Sequence, residues 1–187
     1  ELSPLTLADR RIYNLLIANA WDRIGEPVIY RIAKSALKGT HQGNERIESS
    51  LLRLIGTIAI VTIRKAGKSY KRCVQLLGPS DESLEKDGFL HYRIPEELIE
   101  ILRNSEVYAR LKTQVMYCFE SKYALCLYEM IERRIGLEYK QSEEFTIAEL
   151  RGLLNVPEGK LERFADFNKY CLKVAQDEIN KLCPFWV

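Results

Sequence analysis

Hydrophobic positions along the chain switch between two periods, and the switches mark out its elements. Ile12, Tyr13, Leu16, Ile17, Ala20 and Trp21 recur at helical spacing. They follow Thr6-Leu7-Ala8-Asp9, a pattern whose side-chain oxygens satisfy free N–H groups at a helix start. Gly25-Glu26-Pro27 ends this helix, and a short helix is expected over 32–37. Gly39-Thr40-His41-Gln42-Gly43 reads as a turn. Asn44 then caps a helix carrying Ile47, Leu51, Leu54 and Ile55 on one face, closed by Gly56. Next the period drops to two. Ile58, Ile60, Thr62 and Arg64 form one alternating set, and Ala59, Val61 and Ile63 the other. Lys65-Ala66-Gly67-Lys68-Ser69 is a turn, and Tyr70, Arg72, Val74 and Leu76 alternate on the return. The pattern predicts a β-hairpin. A polar loop over 78–88 leads to a third strand over 89–94. Pro95-Glu96-Glu97 opens a helix, with proline in the first turn and acids at the positive end of the dipole.

The second half starts ambiguously. Leu111, Thr113, Val115, Tyr117 and Phe119 alternate, while Tyr108, Leu111, Val115 and Phe119 fit a helix. We expect a strand over 107–120, with a helix as the alternative. From Ser121 the period is helical, with Tyr123, Leu127 and Ile131 sharing a face with Ala124 and Tyr128. Arg133-Arg134 suit the last turn and Gly136 stops it. Thr146-Ile147-Ala148-Glu149 is a full capping box before Leu150, Leu153 and Leu154. Asn155-Val156-Pro157-Glu158-Gly159 is a turn, and a last helix is expected from about Lys160 to Lys181. Trp186-Val187 resembles the start of a strand. With no initial methionine, the chain reads as a piece of a longer protein.

The order is helix, helix, turn, helix, hairpin, then helix, helix, turn, helix. Helix-turn-helix followed by a basic hairpin is the winged-helix arrangement. The expected class is therefore α+β, mostly helical: two tandem winged-helix domains over 1–120 and 121–187, the second lacking its C-terminal wing. The halves share this order without residue-level repetition.

Composition changes this picture little. The formal net charge is only +2, so bulk charge does not argue for nucleic acid. Its distribution does: residues 64–72 carry five positive charges, on Arg64, Lys65, Lys68, Lys71 and Arg72, and no negative one. Such cations repel one another unless an anion neutralises them, as a phosphate backbone would. A solvated basic edge that protects a strand from aggregation fits equally well. In the preceding helix Arg46, Ser49, Ser50 and Arg53 are placed to face phosphates, beside Glu45 and Glu48.

On the last helix, Phe164, Phe167, Val174, Ala175 and Leu182 cluster about Cys171 at 100° per residue. Lys169, Lys173 and Gln176 lie opposite, and Arg163 flanks the stripe near the helix start, with Lys160 at its beginning. A recognition helix needs an apolar anchor face and an outward face of cations and amides. An amphipathic surface helix with solubilising lysines fits the same periodicity. Glu162, Asp166 and Asp177 share the outward side, and Glu178 falls near the apolar stripe without an evident role.

Catalysis needs a constellation, and the sequence offers none. His41 and His91 are far apart, and no phosphate-binding glycine loop, nucleophile elbow or paired-cysteine metal site occurs. No cofactor is implied. Cys73, Cys118, Cys126, Cys171 and Cys183 read as reduced core residues of a cytosolic protein. No signal peptide or apolar run near membrane-spanning length is evident.

Several stretches resemble the iteron-binding plasmid replication initiators. Residues 5–16, from Leu5-Thr6-Leu7-Ala8-Asp9 to Leu15-Leu16, resemble their opening helix. Ser121-Lys122-Tyr123-Ala124-Leu125-Cys126-Leu127-Tyr128-Glu129 resembles the segment joining their two domains. Phe145-Thr146-Ile147-Ala148-Glu149-Leu150-Arg151-Gly152-Leu153-Leu154, Val156-Pro157-Glu158-Gly159-Lys160, Arg163-Phe164-Ala165-Asp166-Phe167 and Glu178-Ile179-Asn180 are similar to the second-domain pattern in order and spacing. The resemblance implies a bacterial cytoplasmic protein that binds repeats in double-stranded DNA at a plasmid origin and recruits host replication proteins. It also implies a homodimer through the first domain that represses its own promoter. By position, Arg163 and Lys169 match DNA-contacting residues of the recognition helix. Arginine is usual where Lys169 stands, and lysine keeps the charge but not the bidentate fork that suits guanine. A winged-helix transcriptional repressor, or a dimerisation module without DNA binding, are the competing readings.

Overall fold

The computed structural model describes residues 5–26, 28–38, 44–85, 87–103, 116, 118–135 and 142–187, with the side chains of 44–46 and 135 excepted. The chain forms two compact units, Glu1–Ser105 and Glu106–Val187.

In the first unit, helix α1 (Leu7–Ala20) starts at a closed capping box. Thr6 Oγ1 accepts the Asp9 N–H at 3.2 Å, and Asp9 Oδ2 accepts the Thr6 N–H at 2.8 Å. After a 3-10 turn (Trp21–Arg23) come strand β1 (Tyr30–Ala33), helix α2 (Lys34–Lys38) and helix α3 (Asn44–Gly56). The hairpin follows as β2 (Ile58–Lys65) and β3 (Lys68–Gln75), then β4 (Ser80–Glu82), β5 (Phe89–Tyr92) and α4 (Glu96–Arg103). The hairpin is a sheet of its own, while β1, β5 and β4 form a second, antiparallel sheet with β5 in the middle. The core joins Ile12 and Leu16 of α1, Leu51 and Leu54 of α3, Leu90 and Tyr92 of β5, and Val74 at the hairpin base. Buried Tyr92 has a hydrogen-bonding route for its hydroxyl: it donates to the Leu16 carbonyl at 2.6 Å and accepts from Asn19 at 3.0 Å. Burial pushes its pKa up to about 12, so it stays protonated.

Two features of this unit depart from the sequence reading. Tyr30–Ala33 is a strand where a helix was expected from 32. Tyr30 and Ile32 alternate inward against β5, and helix begins only at Lys34. Four residues are too few for periodicity to separate the two states. Strand β4 falls in the stretch expected as a polar loop. It is an edge strand held by backbone pairing to β5, so it leaves no apolar signature.

The second unit is built on α5 (Lys122–Ile135), whose residues 124–130 are all buried. Tyr128 packs on Phe119 and Phe185, with ring centroids 5.3 and 6.5 Å away. Helix α6 (Ile147–Leu153) starts at the expected capping box of Thr146 and Glu149. The last helix is continuous but composite: α7 (Phe164–Phe167), a π-helical turn (Asn168–Leu172) and α8 (Lys173–Leu182). Most of 107–120 lies outside the described residues, but Met116 and Cys118 within it are helical rather than extended. Met116 and Phe119 are buried and Cys118 is exposed, which is helical spacing. Trp186-Val187 is not paired as a strand. The Val187 N–H donates to the Asn180 side chain at 2.8 Å.

The cysteines do not all lie in the core. Cys126 and Cys171 are buried, whereas Cys73 and Cys118 are exposed. Cys73 pairs with Ile60 on the outward side of a hairpin that has only one covered face.

Candidate nucleic-acid interface

The hairpin turns on two residues, Ala66 and Gly67, both at positive φ (47° and 76°). That is the turn whose twist matches two antiparallel strands. Register then decides where each cation points. Lys65 faces Lys68, Arg64 faces Ser69, Thr62 faces Lys71 and Val61 faces Arg72. Cross-strand partners share a side of the ribbon, and sides alternate. Arg72 therefore lies on the side of buried Val74, turned toward the body of the unit, as does Lys65. Arg64 and Lys71 lie on the opposite side, where Ile60, Thr62, Cys73 and Gln75 are all exposed.

The inward pair is engaged. Arg72 Nη1 donates to Glu100 Oε2 at 2.5 Å, and Lys65 Nζ sits 3.9 Å from Glu100 Oε1. The Arg72 hydrogen bond is the main reason the Glu100 carboxyl is held below the ordinary glutamate range. Of the five hairpin cations, Arg64 and Lys71 are thus turned outward, while Lys68 shares the side of Lys65 but is exposed at the tip and has no ion pair among the described residues.

Arg53 on α3 has a partner too. Its Nε and Nη2 grip Asp9 Oδ2 and Oδ1 at 2.9 and 2.8 Å. Asp9 is fully buried, and Arg53 joins α3 to the capping box of α1. Burial pushes the Asp9 carboxyl up, but hydrogen bonds from Arg53, Ser50 and Thr6 outweigh it and leave it below its ordinary value. Ser50 is buried beside this pair rather than turned to solvent, whereas Ser49 is exposed. The side chain of Arg46 lies outside the described residues.

In the second unit the last helix begins at Phe164, so Lys160 stands in the preceding turn, its N–H bonded to the Pro157 carbonyl at 3.1 Å. Arg163 is the N-cap, in extended conformation. The buried stripe is Phe167, Cys171, Ala175 and Ile179, a strict four-residue repeat. Phe164 (55% exposed) and Val174 (36%) are outside it, against expectation. The cause is the π-helical turn. Four-residue steps advance by about 40° each on an α-helix, and the wider turn takes up part of that drift. Lys169, Lys173, Gln176 and Asp177 are exposed. The Lys169 ammonium lies 4.8 Å from the Tyr170 ring centroid.

Glu178 acquires a role that periodicity did not reveal. Its Oε2 accepts the backbone N–H groups of Glu120 and Ser121 at 3.0 and 3.2 Å. A carboxylate from the last helix thus caps the positive end of α5. Arg151 is likewise new: from α6 it donates to the Leu161 carbonyl at 2.5 Å and to the Lys160 carbonyl. Periodicity does not find these two residues, because each acts on backbone outside its own helix.

Among the described residues no group of histidine, cysteine and carboxylate side chains is placed to hold a metal. Among them, too, no helix is long and apolar enough to cross a membrane.

Two helical units, the first with a hairpin wing behind its helix pair and the second with a helix-turn-helix ending in a cation-bearing helix, define a tandem winged-helix, DNA-binding class of protein. The chain matches the family model described as "Initiator Replication protein, WH1" over residues 1–132. It matches "Initiator Rep protein, WH2" over 146–187. The chain belongs to the plasmid replication initiator family. No curated protein matches it.

Proposed function

We propose that this chain initiates plasmid replication by binding origin repeats, with its last helix reading the duplex and its hairpin lying along the phosphate backbone. One observation carries the reading. The last helix buries Phe167, Cys171, Ala175 and Ile179 while leaving Lys169, Lys173 and Gln176 exposed, and it follows a helix and a tight turn. Such a helix is anchored on one side and chemically equipped for phosphates and base edges on the other. Arg163 at the N-cap and Lys160 in the turn extend the cationic surface toward the helix start. On the hairpin, Arg64, Lys68 and Lys71 supply backbone contacts that carry no sequence information. We further propose that the first winged helix mediates a homodimer that represses the chain's own promoter, and that host replication proteins join the origin complex.

The test is a footprint of the protein on the plasmid that encodes it. Protection of repeated sites in the origin supports the initiator reading. Protection of one operator alone supports a repressor, and no protection of any duplex at low salt leaves only a protein-interaction role.

A further inference from the structure

The turn before the last helix is conformationally demanding. Asn155 (φ 54°), Gly159 (φ 71°) and Leu161 (φ 52°) all occupy left-handed backbone. A leucine there is strained and persists only where its surroundings hold it. Arg151 is that restraint. Its guanidinium takes the carbonyl of Leu161 at 2.5 Å with one nitrogen and the carbonyl of Lys160 with another. Its Cζ lies 5.3 Å from the ring centroid of Phe167. Phe167 is fully buried and is the first anchor of the last helix. One side chain therefore connects α6, the strained end of the turn and the root of the following helix. Lys122 of α5 fixes the other end of the turn by donating to the Asn155 carbonyl at 3.2 Å.

We infer that Arg151 is a positioning residue for DNA recognition: it sets where the last helix begins and points, and so places Arg163 and Lys169, without itself contacting DNA. This rests on the reading of the last helix given above. Arg163 follows Leu161 by two residues, so relaxation of the turn shifts it directly. A planar fork can span two neighbouring carbonyls, and an ammonium is a single point charge without that geometry.

The experiment compares the full chain with R151Q, R151K and K169A on a duplex carrying the origin repeats, and on an unrelated duplex, across a salt series. Far-ultraviolet circular dichroism and amide hydrogen exchange accompany it. In R151Q, helix content is retained and exchange rises at residues 160–164. Repeat affinity falls by roughly tenfold, the scale of one lost base contact. Its salt slope stays that of the unaltered chain, because the same phosphates are neutralised, whereas K169A lowers the slope by about one. R151K recovers part of the loss. Unaltered repeat affinity in R151Q overturns the inference, and so does a slope reduced by about one, which makes Arg151 itself a phosphate contact. If the unaltered chain does not distinguish the repeats from the unrelated duplex, the recognition-helix reading fails first and takes this inference with it. If the unaltered chain and K169A behave as expected and R151Q does not, the positioning role alone is wrong.

Discussion

Replacing Arg53 by methionine separates a structural role from a DNA-binding one at a residue whose sequence context allowed both. Arg53 grips a fully buried Asp9 with two charge-assisted hydrogen bonds, and Asp9 in turn caps α1. Methionine retains most of the packing volume and removes both bonds. The carboxylate is then buried with only its capping and Ser50 partners. Stranding one member of a buried pair costs roughly 3–5 kcal/mol. Arg53 is 40% exposed, so water can reach the vacated space, and the expected loss is nearer about 2–3 kcal/mol at pH 7.

The pH dependence carries a sign. The folded Asp9 carboxyl lies below its unfolded value, so the pair's contribution is complete above the unfolded value and is lost as pH falls through the folded one. In R53M burial acts with less opposition, and protonation relieves the penalty. The two stability curves should therefore converge on acidification below about pH 4. Urea denaturation at pH 7 and at lower pH measures this. A double-mutant cycle with Asp9→Asn, which keeps the cap but removes the charge, should show D9N/R53M milder than R53M plus D9N summed. A loss below about 0.5 kcal/mol at pH 7, or one that grows toward acid pH, refutes the reasoning. A fall in DNA affinity with unchanged stability would restore Arg53 to the interface.

Glu178→Gln removes the charge that caps α5 while keeping an acceptor; a loss of about 0.5–1 kcal/mol in denaturant unfolding is expected, shrinking in high salt. Ala66 sits at φ 47°, where glycine is at ease, so A66G should raise hairpin stability by roughly 0.5–1 kcal/mol, read from thermal unfolding. Glu100→Gln frees Arg72 and Lys65, so low-salt affinity for unrelated duplex should rise by about twofold or more, with a steeper salt dependence measured by fluorescence anisotropy. The double variant K68A/K71A should weaken binding about equally on all sequences.

What was legible in the sequence follows from how each feature is built. Capping boxes at Thr6 and Thr146 and the hairpin turn at Ala66-Gly67 are written in adjacent residues, and all appear in the structure. Strand β1 was missed because Ile32 and Ala33 serve a strand and a helix pattern alike. Strand β4 was missed because backbone bonds alone hold it. The cationic helix was visible, but its anchor stripe was misplaced. A constant 100° step put Phe164 and Val174 inside, and the π-helical turn puts them out. At the hairpin, counting charges showed five cations, while Glu100 pairs Arg72 and Lys65 and leaves Arg64, Lys68 and Lys71 without an ion pair among the described residues.

That division explains how a chain of net charge +2 can present a nucleic-acid surface. Part of its positive charge is committed to partners within the chain. Arg53 is held by Asp9, Arg134 by Glu143, Lys34 by Glu82, and Arg72 and Lys65 by Glu100. Arg151 is spent on two backbone carbonyls. Among the described residues, no ion pair engages Arg64, Lys68 or Lys71 on the hairpin, or Arg163, Lys169 or Lys173 on the last helix. These six fall into two local groups, one in each unit. An exposed cation without a partner gains more from a phosphate than one that must first release a carboxylate, because the latter exchanges one ion pair for another. The location of the acids therefore bears on the residues proposed to face DNA. Glu100, Asp9, Glu82 and Glu143 neutralise the cations that build the fold and leave the two exposed groups uncompensated.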